Sequence, residues 1–177
     1  MTFRFVNLDS QTRKFMIDEV ELDIENNRLY FSQRFSSNGR IKYPELLKNA
    51  ILEGNELTLA NDLRTQNCFN FTETKNTKKG LVTVRIPKNA SEVFAEGEFN
   101  RFYIRALCRK VINDNTGQLE VYRAKQVLNP RIESEMMIGK IMDPIKLLDD
   151  LRTNIGVDTV LGLPSGPNSG LSIRVIK

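Results

Sequence analysis

Three arginines at four-residue spacing, Arg101, Arg105 and Arg109, form the most suggestive charged pattern in the chain. On a helix that spacing stacks them along one narrow arc, with Glu98 beside them. Such an arc meets phosphate if it faces solvent, and the carboxylates of a packed neighbour if it does not. The second outcome is expected, with Asp149 and Asp150 or the acidic run from Asp18 to Glu25 as the matching surface. A second cationic set, Lys75, Lys78, Lys79, Arg85 and Lys88, falls in or beside a polar Thr- and Asn-rich stretch. Those side chains can meet an acidic neighbour or DNA, or stay solvated.

Catalytic arrangements are few. The chain has no histidine, which removes Ser-His-Asp and Cys-His triads, HExxH zinc sites and imidazole acid–base chemistry. A metal-dependent nuclease needs paired acids and a lysine on strands. Glu120, Lys125, Asp143 and Lys146 lie near one another in sequence, but without the acid–x–Lys spacing. The loop Gly162–Gly170, GLPSGPNSG, lacks the Gly-Lys-Ser/Thr ending of a Walker loop and precedes a strand. It reads better as a mobile or partner-contacting loop. Arg123 followed by Glu133-Ser134-Glu135 resembles the arginine and Glu-x-Glu pair of ADP-ribosyltransferases. Only nine residues separate Arg123 from Glu133, and the Ser-Thr-Ser strand is missing. No catalytic residue, cofactor or metal ligand is therefore expected.

The element that must position the arginines is the segment from Asn89 to Ile112. Phe99, Phe102, Tyr103, Ile104, Ala106, Leu107 and Val111 cover well over half of its circumference, which predicts a central core helix with one polar seam. Asn89 is placed to cap it, with Glu92 completing a capping-box-like start. Before it, Ser10–Asn27 reads as a helix through Met16, Ile17, Val20 and Ile24, although Val20, Leu22 and Ile24 also alternate as a strand would. Ser36–Arg40 reads as a turn, Tyr43-Pro44 as the opening of a helix ended by Gly54, and 55–66 as another short helix. Phe3, Phe5 and Leu8 anchor an extended start. After the central helix, strands are expected near 119–125 and 171–176, joining one near 81–86, with a further short strand after Val157. Asp143-Pro144 predicts a helix start, with Leu147, Leu148 and Leu151 facing inward.

The expected fold is α+β: N-terminal helices plus a small mixed sheet packed on a central amphipathic helix (89–112). The expected organisation is a helical subdomain over 1–66, an exposed basic loop or arm over 67–80, and an α/β core over 81–177. With 177 residues, 40% hydrophobic and 27% charged, the chain suits one domain with an appendage. A net charge of +4 is mild for a dedicated nucleic-acid binder. No stretch has the length or hydrophobicity of a membrane span or a signal peptide, which predicts a protein made in the cytoplasm. Cys68 and Cys108 lack CxxC spacing, and Cys108 is expected as a buried free thiol.

The segments EGEFNRFYIRALC, LEVYRAK, NPRIESEMMIGK and LPSGPNSGLSIR, with LDSQTRKFM and RLYFSQRFSSNGRIKYPELL, resemble uncharacterised proteins of tailed bacteriophages and prophages. The resemblance implies a non-enzymatic structural or assembly subunit of the virion, in the head or neck. It implies other copies of the chain and other virion proteins as partners, and packaged DNA as a further contact. It brings no functional residue with it. The alternative is a nucleic-acid-binding or metal-dependent nucleic-acid-processing protein, using Lys75, Lys78, Lys79, Arg85 and the arginine ladder.

Overall fold

The computed structural model describes residues 2–156, 159–163 and 169–177. Among the described residues, six helices and two small antiparallel sheets make an α+β fold. Its axis is α4 (Ala90–Asp114), whose side chains from Phe99 to Cys108 are all buried. Helices α1 (Ser10–Glu25), α3 (Glu56–Thr65) and α6 (Pro144–Thr153) pack directly on α4, α2 (Ser37–Glu53) packs on α1 and α3, and the single turn α5 (Ile132–Glu135) precedes α6. One hydrophobic cluster runs without a break from Met16 and Val20 through Leu47 and Phe102 to Ile173. Residues before position 66 and after position 81 thus share a single core.

Local chemistry explains most boundaries. Asp9 caps α1 by accepting from the Thr12 amide at 2.8 Å, and Asn27, at φ +53°, takes the chain out of the helix. The helical reading of this segment therefore prevails over the strand. Asn55 and Thr58 form a capping box at the start of α3. Asp143 caps α6 through the amides of Ile145 and Lys146, both at 2.9 Å, with Pro144 in the first turn where its missing N–H does no harm. Leu147, Leu148 and Leu151 are buried as expected. At α4 the capping differs: Asn89 makes no side-chain cap, and Glu92 instead accepts from Ser91 Oγ and pairs with Arg64.

Helix α2 begins well before Tyr43. Ser36 caps it by accepting from the Gly39 amide, so the segment read as a turn is the first helical turn and Pro44 lies inside the helix. The start is fixed by a close approach. A Cβ on Gly39 would stand 2.0 Å from the Cys68 carbonyl oxygen. The same carbonyl accepts from the Ser36 amide. Gly39→Ala is expected to lower stability by about 1–3 kcal/mol through overpacking, read as a lower thermal midpoint by circular dichroism.

The larger sheet has the order β4-β3-β5, with β3 (Gln118–Arg123) between β4 (Ile141–Met142) and β5 (Leu171–Ile176). It is antiparallel rather than mixed. Asn100 ties it to α4: its amide donates to the Leu171 carbonyl at 2.8 Å and its oxygen accepts from Ser172 Oγ at 2.6 Å. The strand expected near 81–86 does not join this sheet. It is β2 (Gly80–Arg85), paired with β1 (Thr72–Thr77) as a separate hairpin. The segment after Val157 is a turn over its described residues 159–163. It is held by Asp150, which accepts from the Val160 and Leu161 amides at 2.9 and 2.6 Å. The loop 164–168 lies outside the described residues. No described helix is long and apolar enough to cross a membrane.

Candidate partner-contact site

Two regions hold the predicted site residues, and the fold treats them in opposite ways. The arginine ladder is directed inward. Arg105, fully buried, donates from Nε to Glu19 Oε2 at 2.8 Å and forks onto Asp23 at 2.6 and 2.9 Å. Arg109 reaches Asp18 at 3.3 Å and Glu19 at 3.4 Å. Arg101, also buried, donates to the Asn154 carbonyl at 2.7 Å and lies 3.8 Å from Glu98. The carboxylates are those of α1, one of the two surfaces anticipated for this seam. Arg101 and Arg105 therefore cannot contact DNA or a partner chain in this fold. Arg109 keeps partial exposure, but its guanidinium is engaged by Asp18 and Glu19.

Glu19 is the centre of that cluster. It also accepts from Arg152 at 2.6 and 3.0 Å, a partner that no local pattern singles out. Burial pushes its carboxyl up, yet the Arg152 hydrogen bonds and the charges of Arg105 and Arg152 hold it below the ordinary glutamate value. Cys68 and Cys108 are both buried free thiols. Burial pushes the Cys108 thiol well up, so it is inert as a nucleophile.

The cations of the second set lie outside. Lys78 and Lys79 form the tip of the hairpin β1–β2, and the residues around them are exposed on both strands. Thr77 and Gly80 close the turn, with Gly80 at φ +109°, a region that suits glycine. The base is anchored to the body. Arg34 forks onto Glu73 at 2.8 and 2.9 Å, and the Asn70 backbone N–H donates to the Arg34 carbonyl. Lys75 also pairs with Glu73, at 3.2 Å. Beyond this base the hairpin packs mainly on itself. Leu81 is 75% exposed and Val82 43%. The segment expected as a basic loop is thus half of a β-ribbon, and β1 went unseen because TETKNT alternates no apolar side chains.

The carboxylates considered for metal chemistry are engaged elsewhere. Glu120 accepts from Arg174 at 2.6 Å, and Asp143 caps α6. Among the described residues no group of three or more metal-ligating side chains converges. Arg123 and Glu135 do pair, as a salt bridge near the end of β3. In comparisons with known protein families, curated proteins and solved structures, nothing matches the chain.

Proposed function

We propose that this chain is a non-enzymatic assembly subunit, joining copies of itself and other proteins in the head or neck of a phage-type virion. The observation that carries the reading is the hairpin over 72–85. It is a two-stranded sheet whose outer edges pair with nothing among the described residues, and it displays Leu81 and Val82. An isolated two-stranded hairpin is at best marginally stable in water, and an open strand edge is a template for another strand. A strand from a neighbour laid along Gly80–Arg85 would complete the ladder and cover those apolar side chains. The virion setting rests on the sequence resemblance alone.

The rival reading, nucleic-acid binding through the hairpin cations, draws on Lys78 and Lys79 at the tip. It has lost the buried arginines as a contact surface.

Light scattering across a concentration series tests the proposal. The wild-type mass is expected to rise above the 20.3 kDa of one chain, with concentration or on adding virion proteins. Changing Leu81→Glu and Val82→Glu together is expected to hold it at one chain. A protein that stays monomeric throughout and gains no mass with any virion partner would sink the reading.

A further inference from the structure

Where the hairpin meets the body, a groove of about 650 Å³ opens between its base, the end of α3 and the start of α4. That volume falls within the roughly 300–1,000 Å³ of small-ligand sites. Its lining combines cationic and aromatic side chains. Arg64, Arg85 and Lys88 supply positive charge around it. Phe71, which also lines it, is 88% exposed, and Phe69 lies behind, packed against the core.

The charges here are handled differently from those inside the protein. In the α1–α4 seam every guanidinium is met by a carboxylate or a carbonyl. At the groove, Arg85 and Lys88 form no ion pair or side-chain hydrogen bond among the described residues, and only Arg64 is answered, by Glu92 at 2.7 Å. Nearby cations unmatched by acid disfavour one another, which an anionic ligand would relieve. An exposed phenylalanine beside them adds a flat apolar face that water solvates poorly.

We infer that this groove binds a single-stranded stretch of nucleic acid, with Arg85, Lys88 and Arg64 on its phosphates and Phe71 stacked on a base. That combination of a cationic track and an exposed ring is how single strands are held without sequence preference. A duplex keeps its bases stacked on one another and leaves none for Phe71. The groove shares Arg85 with the strand edge proposed for assembly, but Phe71 and Lys88 lie off that edge, so Phe71→Ala tests it apart from Leu81→Glu and Val82→Glu.

The test uses the full chain and a labelled oligothymidylate, followed by fluorescence anisotropy in about 0.15 M salt. There the screening length is about 8 Å, while the tip lies six residues of strand from the base, about 20 Å at 3.3 Å per residue. Phe71→Ala is expected to weaken oligothymidylate binding about tenfold and to leave binding of inorganic polyphosphate unchanged. Three phosphate contacts predict a slope of log affinity on log salt near −2, falling to about −0.7 when Arg85 and Lys88 are both changed to Gln. Reversing Lys78 and Lys79 to Glu is expected to change nothing. All these side chains are exposed, so thermal melts of the variants should match the wild type. Absence of oligothymidylate binding would overturn the inference, as would binding indifferent to Phe71→Ala. Loss of binding on reversing the tip lysines, or equal affinity for an oligoglutamate, would overturn it as well.

Discussion

Arg105→Ala is expected to destabilise the protein by about 3–5 kcal/mol, the usual consequence of removing one partner from a buried ion pair. In a chain of this size that lowers the thermal midpoint by roughly 6–20 °C. The damage arises less from the lost attraction than from what remains. Asp23 is 5% exposed, and Arg105 supplies its salt bridge through two nitrogens. Without Arg105 its carboxylate stays in the interior and loses the salt bridge that matched it. Glu19 fares better, because Arg152 and Arg109 still reach it. Removing both charges, as Arg105→Met with Asp23→Leu, should therefore recover a large part of the loss. Chemical denaturation of the two variants checks this. A single variant within about 1 kcal/mol of wild type would show that the cluster contributes little.

The second large effect is pH-dependent and belongs to Glu98. Burial raises its carboxyl from 4.5 to about 7, against the opposing charges of Arg101 and Arg105, while Asp23 adds to the rise. Near pH 4 the group is protonated in the folded and unfolded states alike, and it contributes nothing to stability. As pH climbs from 4.5 towards 7, the unfolded carboxyl ionises while the folded one holds its proton, so stability falls. Above about pH 7 both are ionised and the full penalty, about 3 kcal/mol, persists. Glu98→Gln should then match wild type near pH 4 and exceed it progressively to a plateau by pH 8. Denaturant midpoints for both proteins across that range measure the difference. A gap that stays constant with pH would remove Glu98 from the account.

What could be read from the sequence divides along physical lines. Asp143-Pro144 and the leucines after it carry cap, first-turn and stripe signals within a few residues, and α6 forms where they say. The apolar circumference of 89–112 likewise requires burial whatever surrounds it. The partners of the seam were half legible. Glu19 and Asp23 stand four apart on α1, the same repeat that separates Arg105 from Arg109, so two helices packed side by side can match charge to charge. That logic names α1 as a surface but is silent on Arg152, which arrives from a helix well over a hundred residues away in sequence. The elements that escaped notice lack periodicity or depend on distant backbone. Strand β1 is polar throughout and is defined by pairing with β2, and β4 is two residues long. Helix α2 starts early because Gly39 fits beneath the Cys68 carbonyl, a contact across 29 positions that no local propensity contains. The hairpin site was legible as charge alone; its ribbon form, and the groove at its base, follow from tertiary pairing.

The Glu19 cluster also governs the order in which the molecule can be completed. Its bonds span 86 residues to Arg105 and 133 to Arg152. Loops of that length are slow to close relative to local helix formation, and the chain emerges from the ribosome N-terminus first. Helix α1 is therefore made long before either arginine exists. Until α4 and α6 are synthesised, Glu19 and Asp23 lack the arginines that match them, and that face of α1 keeps its water. The cluster is complete only once Arg152 has been made, so a chain truncated before it is expected to lack the finished core even though most of its helices are already present.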